Sequence, residues 1–496
     1  MSPLRPLACM ALSVSFLTAG ELYISPAGND ANPGTLAAPW KTFSKAAASI
    51  SAGDTLFMRS GTYAERLILS GKSGTAEAPI VICAYAEETA VIDGDTLTVP
   101  GGGRQGLVVL ENCSHIRLEG LEIRNFTTED KSRIPVGIQI EGSGSGITVK
   151  GCKVHRIWQN STNGNANGFG VSVYGTSTTA IDLLVLEENE VCDLRTGQSE
   201  SVVINGNVTN FTVAKNHVHH CNNIGIDFIG YEGSAPGEVD RARNGVCREN
   251  LVHDIDSRFN PGYGGDFTKG GGDGSAAGIY VDGGTEILIS RNRVHGCNFG
   301  IELASEHANG FTENITMTDN LLHHNLGPGI IMGGYDAKRG KTRNCTVSHN
   351  TLFRNDTLHS YGGQIALQFY LEGNAFTNNI IWADAKTKQM IVHYVEGGKT
   401  AQRAFPAGNV FASNLYFCED GEDDIEFGLN PDGTGKDKGN RSYNGLAAWR
   451  KAVGGEVESV FADPGLRVPV PEKDSPDEDF RRRPGSEGDF GWRFPS

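Results

Sequence analysis

Three acidic residues, Asp227, Asp282 and Glu302, recur at matching positions of one sequence pattern and could act together on a polar substrate. Each lies in a segment of the form G-I-x-Φ-x, where Φ is apolar: GIDFI, GIYVD and GIELA. In a strand, successive side chains point to opposite faces, so the two x positions share one face and the apolar positions share the other. The pattern therefore predicts three carboxyls on one surface, carried by three neighbouring strands.

The expected spacing of these carboxyls suits acid–base chemistry. Neighbouring strands lie about 4.8 Å apart and alternate residues of a strand about 6.6 Å apart. Asp282 is then about 8 Å from each of the other two acids, which are about 9.6 Å from one another. Inverting glycosidases hold two carboxyls about 6.5–9.5 Å apart, and crowding can keep one acid protonated near neutral pH. We assign Glu302 as general acid, Asp282 as the base for water and Asp227 as a second base or a modulator of the acid.

Two other interpretations of the acids stay open, an ordinary solvated surface and a Ca²⁺ site built from carboxylate oxygens. No residue is assigned to a metal, and hydrolysis requires no cofactor. A Gly-rich insertion between Asp254 and Gly278 is predicted to form a wall beside the acids. Loops on a rigid scaffold commonly carry binding residues. The residues predicted to bind substrate are Tyr231, Glu232, Tyr280, Glu306, His307, Tyr335 and Gln368.

The elements that carry these residues come from a repeat of 27 to 42 residues. Short alternating strands recur without helical periodicity between them, which is typical of a parallel β-solenoid. A β-propeller is disfavoured, because its blades repeat at about 40 to 50 residues. Asn tolerates the bend between two strands and can bond to the Asn of the next repeat. The repeats align on one column: Leu121, Cys152, Asn189, Asn216, Asn250, Asn292, Asn320, Asn350, Asn379 and Asn414.

This pattern resembles the right-handed parallel β-helix of the pectin-lyase-like superfamily, over roughly residues 22 to 420. The opening segment ELYISPAGNDANPGTLAAPWKTFSKAAASI is similar to the N-terminal cap of such proteins, in which a short amphipathic helix, here about Phe43 to Ile50, covers the open end. The predicted fold is all-β, a single-stranded right-handed parallel β-helix with an N-terminal helical cap and a C-terminal capping tail. The predicted divisions are a signal peptide at 1–20, the β-helix with its N-terminal cap at 21–420 and a capping segment at 421–496.

Composition narrows the class of protein further. The 43 Lys and Arg against 59 Asp and Glu give a net charge of −16, which disfavours nucleic acid as a partner. The first twenty residues predict export, to the periplasm or outside the cell, and no later window is apolar enough to span a membrane. We expect a monomer. A column of His155, His219, His253, His295 and His323 is interpreted as stacked rings rather than as a metal site.

The resemblance implies a carbohydrate-active enzyme with a polysaccharide or oligosaccharide substrate. A glycoside hydrolase is favoured, because few Lys or Arg residues lie near the acids and an acidic protein repels polyuronates. The first alternative is a polysaccharide lyase that cleaves a uronic-acid polymer by Ca²⁺-assisted β-elimination, with Lys269, Lys338 or Arg339 as base. The second alternative is a non-catalytic solenoid that binds glycans.

Overall fold

The structure, a computed structural model, describes residues 20–334, 336, 338–359, 362–393, 408–429, 441–468, 470–486 and 488–493. Residues 1–19 of the predicted signal peptide and Tyr335 lie outside the described residues. The described chain coils through three long sheets whose strands pair in parallel, apart from one antiparallel pair at the end of the first sheet. Each turn of the coil, here called a rung, adds strands to the first, second and third sheet in that order. The predicted parallel β-helix is confirmed.

The bounds of the strands follow the repeat. The first sheet contains Leu67–Ser70, Arg104–Glu111, Ile134–Gly142, Phe169–Gly175, Val202–Gly206, Ile226–Ile229, Ala277–Asp282, Phe299–Ala304, Ile330–Met332, Ile365–Leu367, Gln389–His393, Glu426–Leu429 and Arg441–Asn444. The second sheet contains Glu21–Ile24, Thr55–Met58, Ile80–Ala84, Ile116–Glu119, Gly144–Ser145, Thr148–Lys150, Ile181–Asp182, Val185–Glu187, Val208–Thr209, Thr212–Ala214, Arg243–Arg248, Thr285–Ser290, Thr312–Glu313, Thr316–Thr318, Thr342–Arg343, Thr346–Ser348, Leu371–Glu372, Ala375–Thr377 and Val410–Ala412. The third sheet contains Gly61–Tyr63, Ala90–Asp93, Glu122–Thr128, Lys153–Gln159, Glu190–Leu194, His217–Cys221, Leu251–Ile255, Arg293–His295, Leu321–His323, Thr351–Phe353, Ile380–Trp382, Leu415–Phe417 and Val460–Phe461.

The core is one apolar column inside the coil. It collects the inward residues of all three sheets, such as Ile226 and Phe228 of the first sheet, Ile289 of the second and Val252 of the third, all fully buried. Because inward and outward residues alternate, the other residues of each strand form rows on the outside.

The predicted asparagine column forms a ladder at the bend between the second and third sheets. From Asn189 to Asn414, each side-chain amide donates to the side-chain oxygen of the Asn one rung further on, over 2.9–3.1 Å. The same oxygen accepts the backbone N–H of the previous Asn, as Asn292 Oδ1 does from Asn250. The ladder fixes the register of successive rungs, because a slip of one residue would leave these buried groups unpaired.

Two α-helices cover parts of the coil. Helix α1, Phe43–Ser49, begins after Thr42, whose side chain accepts the N–H of Lys45, and it buries Phe43 and Ala46 against the first rungs. Helix α2, Leu446–Val453, stacks Trp449 on Phe427 at 4.9 Å. Short 3₁₀ turns span Gly237–Val239, Ser257–Phe259, Pro261–Tyr263, Glu422–Asp424 and Asp477–Phe480.

After the last strand of the third sheet, the chain runs back along the outside of that sheet. We call residues 463–493 the tail. Lys473 pairs with Asp254 at 2.6 Å, and Arg293 pairs with Asp477 at 2.6 Å. The tail thus reaches rungs that lie 180 and more residues earlier in the sequence.

The nine cysteines described carry free thiols, and eight of them are buried. No helix in the described ranges combines the length and the apolar character needed to cross a membrane.

Candidate active site

The three acids lie on consecutive rungs of the first sheet and on its outer face. Asp227 pairs with Tyr280 on the next strand, and Tyr280 pairs with Glu302 on the strand after that. Asp282 follows Tyr280 by two residues on the same strand and therefore shares its face. Asp282 is thus placed between Asp227 and Glu302 in rung order.

All three carboxyls are removed from solvent although they point away from the core. The exposed fractions are 1% for Asp227, 5% for Asp282 and 7% for Glu302. Loops above the sheet therefore close over this face. Since burial penalises the ionised form, each acid is biased toward holding its proton.

Of the three acids, Asp227 has the surroundings that do least to stabilise a negative charge. Its Oδ1 has no hydrogen-bond partner within the described part of the chain. Burial, together with the charges of Glu200 and Asp282, raises the pKa of Asp227 well above its usual value. These surroundings therefore favour the protonated form of this carboxyl.

Asp282 has the groups that best support a carboxylate. Its Oδ1 accepts the backbone N–H of Glu306 at 2.8 Å, and its Oδ2 lies 3.9 Å from Nε2 of His307. Burial and the charge of Glu306 nevertheless raise the pKa of Asp282 well above the usual range. When the cluster releases a proton, Asp282 has the hydrogen bond and the imidazole that stabilise the resulting charge.

Glu302 is poised as a proton donor. Burial, with the charges of Glu306 and Asp282, raises its pKa to about 8. The neighbouring Tyr280 is buried, and its hydroxyl has no hydrogen-bond partner among the residues described. At pH 7 the Glu302 carboxyl is mostly neutral.

Glu232, Glu306 and His307 lie at the rim of the acidic face. The exposed Glu232 accepts a hydrogen bond from Nδ2 of Asn205 at 2.6 Å. Glu306 is also exposed, yet the protein around its carboxyl raises its pKa, while the charges of Arg339 and His307 act in the opposite direction. These contacts place all three rim residues next to the three acids or next to the neighbouring strand.

The remaining predicted binding residues lie further out. The ring of Tyr231 packs on Phe311 at 5.6 Å, and the guanidinium of Arg241 lies over it at 4.8 Å, so its contacts are with the neighbouring loop. Gln368 follows the strand two rungs beyond Glu302.

The sequence reasoning missed Glu200. This side chain is 9% exposed, and burial and the charge of Glu232 raise its pKa well above the usual range. Glu200 precedes the strand Val202–Gly206, in the bend from the third sheet, where strand alternation does not define a face. The only feature of the sequence that could indicate Glu200 is its position just before the strand Val202–Gly206, which pairs with the strand of Asp227.

Buried polar atoms without partners mark the same face. Such atoms are costly unless water or a ligand satisfies them, so their clustering indicates a polar binding surface. Within the described ranges, such atoms on this face include, besides Asp227, Ser172 Oγ, Asn205 Oδ1, Tyr280 Oη, His307 Nε2 and Gln368 Oε1.

The insertion 254–278 builds one side of this region. Nδ2 of Asn260 donates to the carbonyls of Gly197 and Asn222, and Arg195 lies over the ring of Phe267 at 4.4 Å. The insertion therefore packs on two bends. One contains Gly197 and leads through Glu200 to the strand Val202–Gly206, and the other contains Asn222 and leads to the strand of Asp227.

Comparison with known proteins agrees with this architecture. Residues 22–199 match the family described as Pel9A-like, right handed beta helix region, and residues 277–397 match the right handed beta helix region. The chain is 36% identical over 463 residues to the uncharacterized protein YwoF of Bacillus subtilis (strain 168), covering 93% of this chain and 92% of YwoF. The chain therefore belongs to the same family as YwoF, and its fold is a right-handed β-helix.

Two further similarities concern named enzymes. A segment of 80 residues is 42% identical to pectate lyase PEL9 of Emericella nidulans, covering 16% of this chain and 20% of the lyase. A solved structure described as a glycoside hydrolase superimposes with a TM-score of 0.50 at 13% identity, covering 80% of this chain and 96% of that chain. At that identity the structural match shows the shared fold alone.

Proposed function

We propose that this protein is an exported polysaccharide-degrading enzyme that hydrolyses glycosidic bonds at the acidic face of the first sheet. The observation that carries this proposal is Glu302, a buried carboxyl with a pKa of about 8 beside two further acids on adjacent rungs. A carboxyl that stays protonated near neutral pH can donate its proton to the leaving oxygen of a glycoside.

The other two acids complete the chemistry. Asp282 takes a proton from water, which attacks the anomeric carbon while Glu302 protonates the departing oxygen. One rung and two positions along a strand separate Asp282 from Glu302, which corresponds to about 8 Å and leaves room for that water. Asp227, held neutral by burial, donates a hydrogen bond and keeps the negative charge in the cleft low.

The expected substrate is a neutral polysaccharide or oligosaccharide. The chain carries a net charge of −16, so a polyuronate would be repelled. The protein is expected to act as a monomer.

A β-eliminating lyase is the second candidate. The Pel9A-like match and the segment shared with pectate lyase PEL9 favour it. The charge of Arg339 acts on Glu306, which puts a cation at the rim where a base would be needed. Carboxylate oxygens suit Ca²⁺, and the unpaired Oδ1 of Asp227 could bind it together with Asp282. In the described ranges, however, these oxygens are not among the groups of three that lie within 4.8 Å of one another.

One experiment separates the candidates. The purified protein is incubated with neutral polysaccharides and with polyuronates, with and without a chelator. New reducing ends without near-ultraviolet absorbance support hydrolysis. Absorbance of an unsaturated product that disappears with chelator supports the lyase, and binding without either product supports a glycan-binding solenoid.

Variants then test the assigned site. Asp282→Asn and Glu302→Gln should each lower kcat by about 10²–10⁴-fold, because each removes one proton-transfer group. The activity of the unaltered protein should fall as pH rises through about 8, when Glu302 loses its proton. Glu129→Gln, at an exposed acid of another loop, is the matched control. Unchanged activity in both site variants would remove this site from the mechanism.

A further inference from the structure

A cluster of imidazoles lies on the third sheet, away from the acidic face. His219 and His253 are register partners, and their rings stack at 5.0 Å. The stack continues through His295 and His323, with centroids 4.9 and 4.8 Å apart. Stacking at rung spacing therefore accounts for this part of the histidine column.

His217 lies beside that stack and is tilted against it, with its ring centroid 4.1 Å from that of His219 and 5.0 Å from that of His253. It precedes His219 by two residues on the same strand, so both side chains share the outer face. Its Nε2 lies 2.8 Å from Nε2 of His253. One ligand atom from each of His217, His219 and His253 lies within 4.8 Å of the other two.

Asp254 sets the tautomer of His253. Its Oδ2 lies 2.7 Å from Nδ1 of His253, which places the ring proton on Nδ1 and leaves the Nε2 lone pair directed at His217. Histidines that bind metals commonly donate their other ring N–H to a carboxylate in this way. Stacking of the rings alone would not require this contact between His253 and Asp254.

The preceding rung supplies an oxygen donor. Oε1 of Glu190 lies 3.4 Å from Nε2 of His219. Two lysines balance the nearby carboxylates, since Lys153 pairs with Glu190 at 2.9 Å and Lys473 pairs with Asp254 at 2.6 Å. Affinity must therefore come mainly from the imidazoles. The side chains of His219 and His253 are each 15% exposed, and Nε2 of His219 is buried without a hydrogen-bond partner among the residues described.

We propose that His217, His219 and His253 bind one borderline divalent ion such as Zn²⁺, with Glu190 as an oxygen ligand and Asp254 orienting His253. Imidazole nitrogen suits Zn²⁺, Ni²⁺ and Cu²⁺, whereas Ca²⁺ and Mg²⁺ prefer oxygen ligands. The site is separate from the acidic face and does not depend on the proposed hydrolysis.

Zn²⁺ binding to the full chain tests the proposal. Protein purified without a polyhistidine tag is treated with a chelator, which is then removed, and equilibrium dialysis with ZnCl₂ measures uptake. We expect one Zn²⁺ per chain, not displaced by excess Ca²⁺. His217→Gln and His253→Gln should each weaken binding at least tenfold. His155→Gln is the matched control on the same sheet, since His155 contacts Glu122 instead.

Two further measurements distinguish the loss of a metal ligand from a failure of the variant to fold. Because the ring of His217 contacts His219 and His253, circular dichroism first checks that metal-free His217→Gln is folded. Co²⁺ added to the unaltered protein should give a visible absorption band that His217→Gln abolishes. Absence of stoichiometric uptake, or uptake and a Co²⁺ band that persist in His217→Gln, would overturn the proposal.

Discussion

Asp227, Asp282 and Glu302 carry the same functional group in different surroundings. Asp227 has an unpaired oxygen in a buried position, Asp282 receives a backbone N–H, and Glu302 has a pKa raised to about 8. In the proposed hydrolysis, Glu302 acts as the acid, and the backbone N–H at Asp282 supports its role as the base.

The raised pKa of Glu302 predicts a pH-dependent stability. Below its usual value of 4.5 the carboxyl is protonated in both the folded and the unfolded state. Between 4.5 and about 8 only the folded state holds the proton, so stability falls as pH rises and the full penalty applies above pH 8. Glu302→Gln should therefore be more stable than the unaltered protein at pH 9, by up to about 5 kcal/mol, and similar at pH 4.

Urea unfolding at both pH values measures this difference, with Glu129→Gln as an exposed control. An equal effect of Glu302→Gln at pH 4 and pH 9 would show that the ionisation of Glu302 is not coupled to folding.

At this scale the sequence could predict which side of the sheet the three acids occupy, because strand alternation determines it. It could not predict their burial, which depends on loops that fold over the face. Nor could it assign Glu200, which lies in a bend where no periodicity applies.

The asparagine ladder fixes the register of the rungs, so we expect that breaking it lowers the free energy of unfolding. Asn292 is fully buried and bonds to Asn250, Asn320 and the carbonyl of Cys247. Asn292→Ala would leave buried donors and an acceptor unpaired, so we expect a loss of about 2–4 kcal/mol in the free energy of unfolding. Asn165→Ala, at an exposed loop, should change it by less than about 0.5 kcal/mol.

Chemical denaturation of the two variants tests this prediction, and equal midpoints would contradict it. The ladder could be predicted from sequence because eight Asn residues recur in one column. The helix α1 was also predicted, with its end one residue earlier than expected.

On the scale of the whole molecule, the tail joins rungs that are distant in sequence. Phe480 is 1% exposed and packs on His323 at 4.4 Å and on Phe353 at 5.6 Å. Phe480→Ala should cost about 3–5 kcal/mol, the usual range for a buried aromatic. Val470→Ala, at an exposed tail position, is the matched control.

Thermal unfolding of both variants measures the effect, and a Phe480→Ala protein as stable as the control would show that the tail contributes little. The path of the tail could not be predicted from sequence, because it has no repeat and its contacts are set by single ion pairs such as Arg493 with Asp319.

The placement of the three acids on three successive turns has a consequence for how such a site can change. Gain or loss of one turn between two of the acids would alter their separation in a single jump of about 4.8 Å. Intermediate separations are inaccessible to duplication or deletion, so a lineage that gained a turn here would lose the proposed arrangement of acid and base at once. Fine adjustment must come instead from swapping Asp for Glu, which moves a carboxyl by roughly one bond length.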